Sequence, residues 1–158
     1  IQRKGTIKGL VEKYLKDCDS CFFIGRSIDY AIALEAALKL KEISYIHAEG
    51  IAAGELKHGT IALIDDKTPT IVIISLENIN YAIRANAKEV EARQGKTIYF
   101  SMEKCSKEND HFIIPSVLDT LSPLVMIIPL QILAYYAAYI RNLDIDKPRN
   151  LAKSVTVE

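Results

Sequence analysis

Ionisable side chains are concentrated between residues 35 and 58 of the sequence. Glu35, Lys39 and Glu42 are four and three residues apart, a spacing that puts side chains on one face of a helix. Such a face can hold a carboxylate beside an ammonium, and a positioned carboxylate can act as a general base. The same spacing also suits a ladder of salt bridges on a solvated helix, so both interpretations stand at this point.

A second ionisable group follows, with His47 and Glu49 and then Glu55 and His58. If residues 52–57 are helical, Glu55 and His58 share one face, whereas we place His47 and Glu49 on opposite sides of an extended segment. The spacing matches no zinc motif, so we predict no metal site, and we assign no cofactor. We favour His58 as a proton-transfer residue over a hydrogen-bonded structural histidine.

The loop at Gly25, Arg26 and Ser27 lies between a predicted strand and a predicted helix, where phosphate-binding turns occur. One glycine and one hydroxyl are few for that task, so we predict a tight turn and expect another segment to bind any phosphate. His111 stands alone before a predicted strand, and we expect it to be structural.

Composition narrows the class of protein. The 158 residues suit one domain, and 20 basic and 20 acidic residues cancel, which argues against a nucleic-acid or anionic-membrane partner. Cys18 and Cys21 form a C-x-x-C pair with no second pair, so we predict ordinary thiols and a cytoplasmic location. The sequence begins at Ile1 without a charged-then-apolar leader, and we expect it to be part of a longer protein.

Apolar runs and helical stripes alternate along the chain. The predicted strands cover residues 21–24, 44–46, 70–75, 97–101 and 111–114, and the predicted helices cover 4–17, 31–43 with Asp29 as a cap, and 79–90. Strands separated by helices are typical of parallel sheets. We therefore predict a flavodoxin-like, three-layer α/β fold with a parallel sheet of roughly five strands.

Residues 121–140 contain no charged side chain and are long enough to cross a bilayer. Pro123, Pro129 and the α/β pattern before them argue against insertion, so we predict a core helix or a subunit interface. Residues 141–158 show no helical stripe, and spacing alone predicts a disordered tail.

Three segments carry a close resemblance to the glutamine–fructose-6-phosphate aminotransferase family: ALEAALKLKEISYIHAE at 33–49, AGELKHG at 53–59 and PRNLAKSVTVE at 148–158. The resemblance covers essentially the whole chain and corresponds to the second of that family's two sugar isomerase (SIS) domains. It implies a SIS domain over residues 1–146 and an active-site tail, rather than disorder, over 147–158. It also implies that fructose 6-phosphate and glutamine-derived ammonia become glucosamine 6-phosphate.

The resemblance also implies roles for individual residues. Glu42 matches the base that moves a proton between C1 and C2 of the sugar, and Lys39 its supporting neighbour. His58 matches the histidine that opens the sugar ring in the site of an adjoining subunit, which implies a homodimer. Lys153 matches the tail amine that forms a Schiff base with the open-chain ketose.

Glu35 and Ala152 are assigned to substrate binding. The family's glutaminase domain and its phosphate-holding first SIS domain are not in this sequence, so we expect both as partners and little or no activity from this chain alone. We predict no nucleic-acid or membrane partner. Two alternatives remain, namely a phosphosugar aldose–ketose isomerase without amination and a non-catalytic SIS module that binds a phosphosugar and regulates a partner.

Overall fold

A computed structural model describes residues 4–151 of the chain. Within that range the strands are β1 (Ser20–Gly25), β2 (His47–Ala52), β3 (Thr70–Ile74), β4 (Thr97–Met102) and β5 (Phe112–Ile114). The α-helices are α1 (Lys4–Tyr14), α2 (Ile28–Ser44), α3 (Glu77–Glu91) and α4 (Ser122–Ile140). A 3₁₀ turn over Ala53–His58 follows β2.

All five of these strands are parallel, in the spatial order β2-β1-β3-β4-β5. The central strand β3 is buried over its whole length, as its run of β-branched residues predicts. The predicted α/β fold with a five-stranded parallel sheet is confirmed. β2 lies on one side of β1, and β3, β4 and β5 follow on the other side, so the strand order reverses between β1 and β3. Ligands commonly bind at such a reversal in open α/β sheets, beyond the carboxyl ends of the strands.

Side chains alternate between two apolar clusters, one on each face of the sheet. Phe23 and Ile71 point toward α1, α2 and α4 on the first face. Phe22 and Val72 point toward α3 and the Ala53–His58 turn on the second face. The fold therefore has three layers, with the sheet between two helical layers.

Gly50 in β2 lets α2 lie close against the edge of the sheet. A Cβ atom at this position would sit 2.6 Å from the Cα of Leu34 in α2, closer than real contacts allow. Only glycine fits there without moving the helix. This close approach fixes the distance between α2 and the sheet, and with it the position of the side chains on the outer face of α2.

Asp29 was predicted to cap α2, and that prediction was wrong. The helix begins at Ile28, with Ser27 at the N-cap position, and Asp29 is fully buried in the first turn. Its carboxylate accepts hydrogen bonds from the backbone N–H of Ser75, at 2.9 Å, and from the Ser75 hydroxyl. The side chain therefore joins α2 to the end of β3 instead of capping its own helix.

The predicted strand over residues 44–46 was also wrong. Ser44 is the last residue of α2, and its hydroxyl donates to the carbonyl of Leu40 at 2.6 Å. Tyr45 then adopts the left-handed conformation, with φ 60°, and ends the helix. The strand starts only at His47, and its polar and small residues gave no β-branched pattern to predict it from.

The apolar helix α4 forms part of the first helical layer. Its inward side chains pack against α1 and α2, and these are Met126, Leu130, Leu133, Ala134 and Ala137. Other side chains stay exposed, notably Leu124 and Tyr139. The segment Asp119–Ile140 is long and apolar enough to span a membrane, and 39% of its most apolar 18-residue stretch is buried within the domain.

Cys18, Cys21 and Cys105 are buried free thiols. Burial raises the pKa of the Cys18 and Cys105 thiols to about 11, and it raises the pKa of Cys21 well above its usual value. All three thiols therefore remain protonated at neutral pH.

Candidate functional site

The last turns of α2 bring three predicted site residues together. The Lys39 ammonium lies 2.8 Å from a carboxylate oxygen of Glu42 and 3.6 Å from one of Glu35, so the predicted shared face is confirmed. The Glu42 and Lys39 side chains are 27% and 33% exposed, which leaves the pair accessible to a ligand. The hydrogen bond with Glu42 raises the pKa of Lys39, and the ammonium is therefore charged at neutral pH.

The end of the described chain returns to this part of α2. The backbone N–H of Arg149 donates to the Tyr45 phenol oxygen at 2.8 Å, and the Arg149 guanidinium lies 4.1 Å from the centre of the Tyr45 ring. A cleft of about 450 Å³ separates the two segments, lined by Leu38, Lys41, Glu42, Tyr45, Arg149, Asn150 and Leu151. The start of the predicted tail thus shares a cleft with Glu42.

Lys153 and Ala152, two further predicted site residues, lie outside the described residues. Leu151, the last described position, lines the Glu42 cleft and stands two residues before Lys153.

His58 and the Glu42 cleft belong to different layers of the fold within one copy of the chain. It ends the 3₁₀ turn whose Leu56 packs with α3 on the second face of the sheet, whereas α2 packs on the first face. The His58 side chain is exposed, and within residues 4–151 it has no hydrogen-bond or ion-pair partner. The structure therefore does not bring His58 and Glu42 together in a single copy.

His47 and Glu49 were predicted to lie on opposite sides of their strand, and that prediction was wrong. The His47 Nε2 atom is 2.9 Å from a carboxylate oxygen of Glu49, because residues two apart in a strand point to the same face. Both side chains are exposed. Over residues 4–151, no three His, Cys, Asp or Glu side chains are arranged to hold a metal ion.

The loop after β1 is a tight, packed turn, as predicted. A Cβ atom on Gly25 would lie 2.1 Å from the carbonyl oxygen of Asp29, so the chain can make this turn only with glycine. The Arg26 guanidinium donates to the Asn86 side chain in α3 at 3.0 Å. His111 is likewise engaged in the fold, since its Nδ1 atom accepts from the backbone N–H of Tyr99 at 3.2 Å.

A buried polar network was missed from the sequence. Beyond its bonds to Asp29, the Ser75 hydroxyl lies 3.1 Å from the Ser122 hydroxyl at the start of α4. Burial raises the pKa of Asp29 to about 6, against the opposing effect of the Ser75 hydrogen bonds. These side chains lie between the carboxyl ends of β1 and β3, where they join α2, β3 and α4.

Comparisons with known proteins fit this geometry. The family model for the SIS domain matches residues 14–141. The glutamine–fructose-6-phosphate aminotransferase of Listeria monocytogenes is 57% identical over all 158 residues, which make up 26% of that protein. The chain thus spans about a quarter of the length of this curated relative.

Two solved structures have the same fold. The C-terminal domain of the glucosamine-fructose-6-phosphate aminotransferase from Francisella tularensis superposes with a TM-score of 0.85 at 38% identity, covering 93% of this chain and 43% of that one. A glucosamine-6-phosphate deaminase from Thermotoga maritima superposes with a TM-score of 0.78 at 25% identity, covering 99% and 46%. The family match, the sheet order and the aminotransferase-like segments agree, and this chain belongs to the SIS domain family.

Proposed function

We propose that this chain is the second isomerase domain of a glutamine–fructose-6-phosphate aminotransferase, with fructose 6-phosphate bound in the cleft beside Glu42. The 57% identity to the Listeria enzyme supports the assignment. The observation that carries the proposal is the return of residues 149–151 to the end of α2, because it allows a tail amine and a helix carboxylate to act on one sugar.

Lys153 supplies the amine. Its nitrogen attacks the C2 ketone of the open-chain sugar, and loss of water leaves an imine at C2. Ammonia then replaces the lysine nitrogen at C2, which frees Lys153 and leaves the nitrogen of the product in place. Both steps need the tail to lie over C2, and Ala152 is the adjacent residue that we assign to substrate binding.

Glu42 moves the proton. A C2 imine makes the C1 hydrogens acidic, so the Glu42 carboxylate can take one proton from C1 and return it to C2. The C1 hydroxyl gives up its proton and the nitrogen gains one, which leaves an aldehyde at C1 and an amine at C2. Lys39 holds Glu42 through the 2.8 Å contact, and Glu35 holds Lys39 from the other side. These contacts fix the position of the Glu42 carboxylate, on which its proposed role as the base depends.

His58 opens the sugar ring in the site of a second copy. The sheet separates His58 from Glu42 within one chain, which supports a site shared between the copies of a homodimer. The exposed apolar side chains of α2 and α4, such as Leu34 and Leu124, offer surface for contacts with another copy or with the remaining domains. We place the whole enzyme in the cytoplasm.

A chimera tests the proposal. This chain replaces the matching quarter of the Listeria relative, and glucosamine 6-phosphate formed from glutamine and fructose 6-phosphate is measured. We expect the chimera to be active, Lys153→Arg to abolish product, and the chain alone to form none. Borohydride reduction in the presence of fructose 6-phosphate should attach the sugar to Lys153, as seen by peptide mass spectrometry. Full amination by the Lys153→Arg chimera would refute the assignment.

The same chimera separates the alternatives. An aldose–ketose isomerase without amination would interconvert phosphosugars with no nitrogen source and would not need Lys153. A regulatory SIS module would bind fructose 6-phosphate equally well after loss of Glu42 or Lys153. The similarity to the Thermotoga glucosamine-6-phosphate deaminase favours chemistry at an amino-sugar phosphate over both alternatives.

A further inference from the structure

Tyr45 occupies an unusual backbone conformation at the end of α2. Its φ and ψ are 60° and 14°, the left-handed region, where glycine or asparagine is usual and a bulky side chain is strained. The backbone N–H of Tyr45 donates to the Lys41 carbonyl at 3.2 Å, which closes the helix three residues after Glu42. Glycine would make this helix end without strain, so helix termination alone does not explain a tyrosine here.

The Tyr45 side chain contacts the tail in two ways. Its phenol oxygen accepts the hydrogen bond from the Arg149 backbone N–H at 2.8 Å. The Arg149 guanidinium lies 4.1 Å from the ring centre, within the range of a cation–π interaction. The hydrogen bond holds the main chain of Arg149 and the cation–π contact holds its side chain, so Arg149 is held at two points.

Anchoring Arg149 limits where Lys153 can go. Lys153 is four residues beyond Arg149, and four extended residues span at most about 14 Å. Because Tyr45 is three residues after Glu42, this radius includes the Glu42 cleft. A tail fixed at Arg149 therefore loses less conformational entropy when its lysine meets the sugar than a tail free from residue 141 onward.

From this geometry we infer that Tyr45 is a positioning residue that anchors the tail so that Lys153 reaches the sugar beside Glu42. The inference rests on the proposed function for the role of Lys153, whereas the anchoring itself does not. Tyr45 also lines the Glu42 cleft, but the role inferred here is exerted through Arg149 and does not depend on a contact between Tyr45 and the sugar.

Limited trypsin digestion of the native chain tests the anchoring. Trypsin must extract the Arg149 side chain from the Tyr45 ring to cut the Arg149–Asn150 bond. We expect Tyr45→Gly to speed this cleavage roughly tenfold and Tyr45→Phe, which keeps the ring but loses the acceptor, to give an intermediate rate. The matched control is Gln94→Gly, which relieves the same left-handed strain, at φ 65°, beyond the end of α3.

Thermal unfolding separates anchoring from general damage. Both glycine variants relieve strain, so the Tm of each should stay the same or rise. Faster cleavage in Tyr45→Gly at an unchanged Tm supports the inference. Equal cleavage rates in Tyr45→Gly and Gln94→Gly overturn it.

The chimera described above tests the consequence for chemistry. At saturating fructose 6-phosphate, the rate of borohydride-trapped Lys153 adduct should fall in Tyr45→Gly, with little change in the sugar concentration that gives half the maximal rate. An unchanged adduct rate overturns the positioning role alone. Failure of the unaltered chimera to form any adduct overturns the proposed function and this role with it, and the trypsin result then still reports on the anchoring.

Discussion

Asp29 is a carboxylic acid that the fold encloses completely. Its partners are the backbone N–H and the hydroxyl of Ser75, and no cation is among the causes that shift its pKa. Burial has a larger effect than the hydrogen bonds and raises the pKa of Asp29 from 3.8 to about 6. The native state therefore holds this proton more tightly than the unfolded chain does.

The raised pKa makes stability depend on pH. Because the native state binds more protons between the two pKa values, the free energy of unfolding falls as pH rises from about 4 to about 6.5, by roughly 3 kcal/mol in total. Asp29→Asn keeps an acceptor for Ser75 and removes the charge, so the variant should lose this part of the slope. Urea unfolding at a series of pH values measures it.

Asp65→Asn is the control for that series. Hydrogen bonds from Thr68 and Lys67 lower the pKa of Asp65, so its contribution is present above its unfolded pKa of about 3.8 and is lost only as pH falls below that value. The slope between about pH 4.5 and 6.5 should survive in Asp65→Asn. Identical slopes for Asp29→Asn and the unaltered chain would contradict the assigned pKa.

Glu42 should matter for activity and little for stability. Its ion pair with Lys39 is partly exposed, and such pairs contribute at most about 1 kcal/mol to stability. In the active chimera, we expect Glu42→Gln to reduce turnover about 10²- to 10⁴-fold, the usual contribution of a general base. The control is Glu12→Gln, which removes an exposed pair with Lys8 on α1. Equal effects of the two substitutions on turnover would exclude Glu42 as the base.

At the scale of elements, the position of α2 decides where the candidate site lies. The helix is held at its first turn by Asp29, along its length by contact with β2 at Gly50, and at its end by Tyr45. None of these three contacts is made by Glu35, Lys39 or Glu42. The outer face with Glu35, Lys39 and Glu42 is positioned as a consequence.

Gly50→Ala should push α2 away from the sheet. The new methyl group would meet the Leu34 backbone at 2.6 Å, and backbone cannot yield as a flexible side chain can. We expect a loss of roughly 3 kcal/mol in the free energy of unfolding, measured in urea. Gly9→Ala in the exposed part of α1 meets nothing within 4 Å and should instead stabilise by up to about 1 kcal/mol. A neutral Gly50→Ala would show that α2 does not depend on this contact.

The sequence predicts elements well where one pattern dominates. The β-branched run at β3 and the stripe of α3 place those elements nearly correctly, and helical spacing alone predicts the shared face of Glu35, Lys39 and Glu42. β2 was misplaced because small and polar residues form it. Asp29 and Ser75 are 46 residues apart and Tyr45 and Arg149 are 104 apart, so local patterns carry no sign of either contact.

At the scale of the whole molecule, the sheet lies between two groups that the proposed reaction needs. Glu42 belongs to the layer of α2, and His58 follows Leu56, which packs in the layer of α3. A single copy therefore lacks a complete proposed site. Two copies related by a two-fold axis can each lend His58 to the other.

Mixing two inactive chimeras tests this arrangement. Glu42→Gln and His58→Ala chimeras, dissociated and reassociated in equal amounts, should recover about a quarter of the activity per site, because half of the dimers are mixed and each mixed dimer has one intact site. Each variant alone, treated in the same way, is the control. No recovery, with mixed dimers shown to form by mass spectrometry, would place both groups in one copy.

The reactivity of the three buried thiols reports on local opening of the native structure. Cys18, Cys21 and Cys105 are protonated at neutral pH and screened from solvent, so a disulfide reagent should find them unreactive in the native state. Modification then requires the structure to open. Cys21 lies in β1 near the middle of the sheet and Cys105 lies beside α3, so comparing their modification rates would show which layer separates first.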